Sequence, residues 1–399
     1  MELSSLLSKF NEPETLKMAK LGRELRAKGL DITDLSLGEP DFDTPIHIRE
    51  AAKKAIDDNY SHYTPVAGYL DLRVAVCTKL KRDNGLDYTP EQIIISTGAK
   101  QSIANTVLAI VDKDDEVIIP TPYWVTYSEI VKLAGGSVHL VKTAFENGYK
   151  ITPTQLESAI NERTKLFMFS SPCNPTGALY SKNELKALAE IFSKHPQVFI
   201  MSDEIYEHIN FTGTHESIAQ FDFLKDRVIV INGLSKGWAM TGWRLGYSAA
   251  PIQVARASEK LQGQFTSGAN AITQRAAIVA LTGDMEPTYN MVKEFKERRD
   301  KVMKILKGIP GIVVSEPPAA FYIFPQVDAY FNKRTPHGAI ITNADDLCMY
   351  FLNDAHVSVV TGKAFGEPKC IRISFANSLL NIEKGFEKIK KALAELKDM

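Results

Sequence analysis

Between Arg227 and Tyr247, RVIVINGLSKGWAMTGWRLGY, a β-branched apolar run stops at Gly233 and delivers Ser235, Lys236 and, after two glycines, Arg244. A lysine just past a buried strand end, among Leu234, Trp238 and Met240, stands where desolvation lowers its amine pKa and makes it a nucleophile toward a carbonyl. Taken alone, a lysine beside glycines reads as a solvated loop residue. Ser235 and Arg244 alter that weighting, because a hydroxyl and a guanidinium this close in sequence can together hold a phosphate.

Three more strand ends carry groups of use to the same ligand. Gly98, Ala99 and Lys100 stand where QIIIST (residues 92–97) gives way to an apolar helix over 101–111. That junction points free backbone N–H groups and the positive end of a helix dipole at an anion. Trp124, just beyond the strand 115–120, can lie flat on a bound ring, although a tryptophan is more often simply core. Asp203 follows the buried run QVFIM (197–201), and an acid at the carboxyl end of a strand faces the crevice of an open α/β sheet. The four loops describe a pocket for a planar, phosphorylated, carbonyl-bearing cofactor. Pyridoxal phosphate satisfies all of them: the lysine meets its aldehyde, the acid keeps its ring nitrogen protonated, and the helix end, serine and arginine take its phosphate.

Rival chemistries fit less well. No GxGxxG follows any strand, which argues against a dinucleotide. A P-loop fails at Gly362-Lys363, with Val357 where the first glycine belongs and Ala364 where Ser or Thr is needed. Glu204, Glu207 and His208 make neither HExxH nor its inverse, and the eight histidines show no ligand spacing, so no metal is expected and these side chains read as structural or solvated. Gly233-Leu234-Ser235-Lys236-Gly237 resembles a hydrolase GxSxG elbow by letters only.

The elements that must position these groups follow from periodicity. Between Ala51 and about Gly283 short apolar strands alternate with helices, the sign of a doubly wound, mostly parallel sheet. Helices are expected over 14–29, 47–58, 70–84, 127–134 and 181–194, the last with Ser181 and Glu184 in capping-box spacing. Residues 34–45, DLSLGEPDFDTP, form an ordered loop in which Gly38 lets a ligand meet bare backbone. The proline-bracketed turn from Pro172 to Gly177 has a second X-Pro bond, Asn174-Pro175, that could be cis. A charged helix, 287–307, changes the composition and leads to a smaller α+β part with strands at 312–314, 320–324, 357–360 and 369–375. The expected division is a large domain over 46–283 and a small domain from 1–45 together with 284–399.

The bulk numbers suit a soluble enzyme. The chain has 399 residues, 44% hydrophobic and 24% charged, with 47 basic and 48 acidic side chains leaving a formal charge of -1. No global field favours nucleic acid or an anionic membrane. Cys77, Cys173, Cys348 and Cys370 form no CxxC pair, which fits a reducing cytoplasm. The first residues, MELSSLLSKFNEPET, show no basic segment followed by an apolar one, and no run approaches the roughly 18 apolar residues of a membrane span.

The motifs GEPDFDTP, SPCNPTG, SDEIYEH, SKGWAMTGWRLGY and CIRISFA, in this order over nearly the whole chain, resemble the class I pyridoxal-phosphate-dependent aminotransferases of the aspartate aminotransferase family, in its bacterial-type branch. The resemblance implies fold type I, the α/β fold of pyridoxal-phosphate transferases. It makes Lys236 the Schiff-base lysine and general base, and Asp203 the partner of the pyridinium nitrogen. Tyr206 and Asn174 meet the ring oxygen, Ser235, Arg244 and the Gly98-Ala99 backbone hold the phosphate, and Trp124 stacks on the ring. Tyr63 looks like the tyrosine that reaches a neighbouring subunit's phosphate, which implies a homodimer with shared active sites.

For the substrates, an amino acid and a 2-oxo acid, the resemblance makes Arg372 the clamp on the α-carboxylate, assisted by Gly38 and Asn174. From the residues alone, Arg372 would instead be an outward strand residue with an acidic neighbour. Lys100, with Thr15, matches the group that serves the distal carboxylate of aspartate or glutamate. The pattern departs at Pro13, where a serine is usual, and at Cys173, where asparagine is frequent. Transamination between aspartate and 2-oxoglutarate with ping-pong kinetics is expected. Prephenate or aromatic amino acids are the nearest alternatives. A pyridoxal-phosphate-dependent lyase or carbon-carbon synthase is a reading of another class. A non-enzymatic pyridoxal-binding regulator is disfavoured, since the residues before Glu14 are too few for a helix-turn-helix unit.

Overall fold

A computed structural model describes residues 4–9, 13–213 and 215–398, so part of the N-terminal stretch read above lies outside the described residues. After a two-residue strand, β1 (Thr33–Asp34), the chain builds a seven-stranded sheet. Its members are β2 (Ile93–Ser96), β3 (Glu116–Thr121), β4 (Ser137–Lys142), β5 (Thr164–Ser170), β6 (Phe199–Asp203), β7 (Val228–Gly233) and β8 (Gly246–Ala249). They lie in the order β2-β8-β7-β6-β5-β3-β4. Only β8 runs against its neighbours, β2 and β7, while the other pairs are parallel.

Side chains alternate across this sheet with the two-residue period of a strand. Phe167, Phe169, Ile200, Val228 and Val230 enter one apolar core, whereas Leu166, Met168, Met201, Ile229 and Ile231 enter the core on the opposite face. Both faces are therefore covered, as a parallel sheet requires. Helices follow the expected boundaries closely: Glu14–Ala27, Ile46–Asp57, Leu70–Asn84, Thr126–Ala134 and Lys182–Ser193. Ser181 caps the last of these by accepting from the Glu184 amide, and the Glu184 carboxylate answers at the Ser181 amide. Asn174-Pro175 is cis, as are Thr121-Pro122 and Ser171-Pro172.

After the long helix Glu286–Lys307 come β9 (Tyr322–Ile323), β10 (Lys333–Arg334), β11 (Ile340–Ile341), β12 (Val357–Ser358), β13 (Val360–Thr361), β14 (Ile371–Ser374) and β15 (Lys397–Asp398). A third core forms here, around Phe295, Val302, Phe321, Phe351, Ile373 and Phe386. The strand expected at 312–314 is reduced to an isolated bridge, Val313 to Gln326. Gly311 at φ 82° precedes it and Pro317 and Pro318 follow it, so the chain cannot extend a ladder in either direction. The strand expected at 320–324 begins only at Tyr322, because Ala320 adopts φ 59°, outside the extended region. Among the described residues no helix is long and apolar enough to cross a membrane.

Candidate active site

The carboxyl ends of β6 and β7 open onto a cavity of about 300 Å³. The chain leaves β7 at Gly233, and three residues later Lys236 points its amine into the cavity. Leu234, Trp238 and Met240, its neighbours in sequence, are buried. The Nζ donates to the carbonyl of Gly38, so a lysine from the sheet and the irregular 34–45 segment meet over the cavity. Burial pushes the Lys236 pKa down to about 8; the Glu39 carboxylate opposes the shift, and the Arg372 and Arg244 guanidinium groups add to it. A larger share of this amine than of an ordinary lysine is uncharged near neutral pH.

Asp203 ends β6 and is only 4% exposed. Burial raises its pKa to about 6, against the hydrogen bond from Tyr127. That bond, Tyr127 Oη to Asp203 Oδ2, is 2.6 Å long, and the Ile205 amide donates to Oδ1 at 3.2 Å. Tyr127 drew no functional reading from the sequence. In the structure its ring meets that of Trp124 edge to face at 5.7 Å.

Opposite Asp203 lies an anion cradle. Gly98 begins the helix Ala99–Ile110 at φ 85°, a conformation suited to glycine. A Cβ there would come within 2.5 Å of Arg244 Nη2. Arg244 is itself left-handed at φ 55°, and its Nη1 donates to the Thr241 carbonyl at 2.8 Å. Ser235 is buried beside them. The first amides of a helix have no partner within it, so the cradle offers N–H groups, a hydroxyl and a guanidinium to one anion.

At the other end of the cavity Arg372, on β14, is 2% exposed. Its Nη1 donates to Asn174 Oδ1 at 3.0 Å and its Nη2 to the Ser36 carbonyl at 2.5 Å. The guanidinium lies 4.5 Å from the Tyr322 ring centre and 5.0 Å from that of Phe365. Its Nε is buried without a partner, and no carboxylate within the described residues forms an ion pair with it. The outward strand residue with an acidic neighbour is therefore not what the fold makes of Arg372. A buried cation without a counter-ion is costly unless a ligand supplies one.

The remaining candidates are distributed around this axis. Tyr206 is buried at the cavity, and its hydroxyl lies 2.7 Å from that of Tyr322. Lys100 stands at the rim with its Nζ 4.9 Å above the Trp124 ring; burial, then Arg244, lowers its pKa. Thr15 lines the cavity beside Pro13 and Leu16. Tyr63 is not in the cavity and is 94% exposed. Sequence reasoning missed Tyr127, Tyr322, Ser36 and Glu39. Only pairing of β9 with β14, a long-range contact without a local signal, brings Tyr322 to Arg372.

Glu204 and Glu207, read as structural or solvated, prove to be parts of one buried polar network behind the β6 end, and half-buried His208 stands beside it with its Nε2 3.2 Å from Glu207. Lys79, fully buried, pairs with Glu207, which also accepts from Asn84 and Asn232 at 2.9 Å each. Glu204 accepts from Ser202 and Ser217 and pairs with His215 at 3.0 Å. Burial works against charge on Glu207, but Lys79 holds its pKa well below the usual carboxylate range. Oxygen and nitrogen atoms of Glu204, Glu207 and His215 lie within 4.8 Å of one another, with Lys79 already supplying positive charge there.

A seven-stranded sheet of this order with a buried lysine, a buried acid and an anion cradle at its strand ends defines a pyridoxal-phosphate-dependent transferase of fold type I. Residues 31–389 match the family described as aminotransferase class I and II. The chain is 43% identical over 403 residues to a bifunctional aspartate aminotransferase and glutamate/aspartate-prephenate aminotransferase of Petunia hybrida, covering all of this chain and 84% of that one. It is 40% identical to an aspartate aminotransferase of Bacillus subtilis, over 98% of both chains. In three dimensions it matches an aspartate aminotransferase from Rhizobium meliloti with a TM-score of 0.96 at 38% identity, over the full length of both. An aspartate aminotransferase from Thermus thermophilus with maleate matches with a TM-score of 0.91 at 36% identity, covering 98% of this chain and 100% of that one. The chain belongs to the class I and II aminotransferases, enzymes that work with pyridoxal phosphate and act on amino acids and 2-oxo acids. The residues present fit that cofactor: the glycine cradle filled by any Cβ, the amine with a lowered pKa and the buried carboxylate are the three features it needs.

Proposed function

We propose that this enzyme moves the amino group of L-aspartate to 2-oxoglutarate, with ping-pong kinetics. The observation that carries the reading is a pair of cations in one cavity, Arg372 buried at one end and Lys100 at the rim, neither ion-paired to a carboxylate among the described residues. Such a site suits a substrate with two carboxylates. The names of the Petunia and Bacillus relatives support it, and the Thermus structure was obtained with maleate, a dicarboxylate.

When bound, pyridoxal phosphate supplies an electrophilic carbonyl and a ring able to accept the electron pair released at the substrate Cα. In our reading Lys236 would hold that carbonyl group through Nζ and, as a free amine, would serve as the base at the substrate Cα. Asp203 holds the proton of the ring nitrogen, and a cation placed there lowers the raised pKa of this carboxyl. Tyr127 steadies the carboxylate. Tyr206 and Asn174 orient the ring oxygen, while Ser235, Arg244 and the amides at Gly98 and Ala99 bind the phosphate. Trp124 covers one face of the ring. Arg372 grips the α-carboxylate, aided by Asn174 and the Gly38 backbone, and Lys100 with Thr15 meets the distal one.

The wider reading includes a homodimer in which Tyr63, almost wholly exposed here, reaches the partner's phosphate. It includes a cytoplasmic location, which the free thiols Cys77, Cys173, Cys348 and Cys370 suit. The chain would divide into a large domain over 46–283 and a small one from 1–45 with 284–399, a division supported by the third core, whose members come mostly from the latter two segments. Prephenate is a second amino acceptor for the same two cations, because it too bears two carboxylates and appears in the name of the Petunia relative. The test is to add single amino acids to the holoenzyme and follow the cofactor absorbance. Aspartate and glutamate should abolish the starting band quickly, and 2-oxoglutarate should restore it. Equal rates with alanine would remove the dicarboxylate reading, and product without any oxo acid would point to a lyase.

A further inference from the structure

Tyr322 touches three parts of the cavity that have separate duties. Its hydroxyl lies 2.7 Å from that of Tyr206. Its ring lies under the guanidinium of Arg372, 4.5 Å from Cζ. Its hydroxyl also fills the space beside Gly38, where a Cβ would come within 2.1 Å of it. The side chain is 1% exposed, and its strand is fixed against the strand of Arg372 by the Tyr322–Ser374 and Ile323–Ile373 pairs. Two phenols that share one hydrogen bond leave one proton for a further acceptor. If Tyr322 donates, the proton of Tyr206 is free to point into the cavity.

We propose that Tyr322 is a positioning residue with two separable jobs: its hydroxyl donates to Tyr206 and aims that phenol at the cofactor, and its ring holds Arg372 ready for the substrate α-carboxylate. This rests on the functional reading above. The first job acts through hydrogen bonding: a hydrogen bond donated to the ring oxygen of the cofactor favours its anionic form. The second acts through the ring face, which attracts a guanidinium most strongly where water is excluded. Removing the hydroxyl should disturb the first and spare the second.

Two variants of the reconstituted holoenzyme separate the jobs. In Tyr322→Phe the pKa read from the pH titration of the bound cofactor's absorbance should rise, while maleate affinity, measured by calorimetry, should stay within about twofold of the parent. Tyr322→Leu should show the same rise and, in addition, bind maleate about five- to tenfold more weakly. The proposal is overturned if the titration of Tyr322→Phe superimposes on that of the parent, or if Tyr322→Leu binds maleate as the parent does. The parent controls the underlying reading independently. A parent that neither titrates in the visible range nor binds maleate contradicts the functional assignment, whereas a normal parent with indifferent variants contradicts the role of Tyr322 alone.

Discussion

Replacing Arg372 with lysine keeps the charge and removes the geometry. The guanidinium is buried and makes two hydrogen bonds, to Asn174 Oδ1 and to the Ser36 carbonyl, in the plane of its fork, with aromatic rings at 4.5 and 5.0 Å. A lysine ammonium can occupy one of these positions but cannot present two parallel donors to a carboxylate or lie flat on a ring. Hydrogen bonds to charged groups contribute about 1.5–3 kcal/mol each, so losing one of the fork's two bonds to substrate and part of the stacking costs about 2–4 kcal/mol of binding. That corresponds to a fall of roughly 30- to 1,000-fold in kcat/KM. Stopped-flow half-reactions with aspartate, glutamate and alanine measure it, and the α-carboxylate common to all three predicts equal losses. A variant that keeps a third of the parent's activity, or that suffers with dicarboxylates only, would refute the assignment of Arg372 to the α-carboxylate. Thermal unfolding of the same variant keeps folding defects apart from binding.

The other predictions concern different parts of the site. Lys100→Ala should lower kcat/KM for aspartate about five- to tenfold, since a partly solvated rim charge contributes modestly, and change alanine less than twofold. Tyr127→Phe removes the donor that stabilises the Asp203 carboxylate, so the pKa of this group should rise further. If Asp203 must be ionised, activity is lost as pH falls through its pKa, and the acid limb of the kcat/KM profile should move to higher pH. Lys79→Met leaves Glu207 buried without its cation, and chemical denaturation should show a loss of about 3–5 kcal/mol; Lys79→Met with Glu207→Leu should recover much of it.

How much of this could be read from the chain depends on the range of the interaction. Lys236, Asp203 and the Gly98–Lys100 junction were legible because each follows a short apolar strand, and the crevice of an open α/β sheet collects whatever stands at those ends. The capping box at Ser181 was legible for the same local reason. Arg372 was legible only through the motif resemblance: by itself its strand, IRIS, alternates in a way that suits an outward arginine, and the fold brings it to Asn174 and Ser36, 198 and 336 residues away. Tyr322 and the Lys79–Glu207 pair, 128 residues apart, are hidden for the same reason. The edge strand β4 mixes exposed and half-buried positions, so SVHLVK carried no apolar run to mark it. The failed strand at 312–314 shows the converse, a β-branched run whose flanking glycine and prolines confine it to the single bridge with Gln326.

The central claim is that Lys236 carries the cofactor. Borohydride reduction of the holoenzyme followed by peptide mass mapping tests it directly. The account predicts a single pyridoxyl group on Lys236, absent from Lys236→Ala, with the visible absorbance lost in parallel. A stable label on Lys100 or any other lysine, or a Lys236→Ala protein that transaminates at the parent's rate, would contradict it.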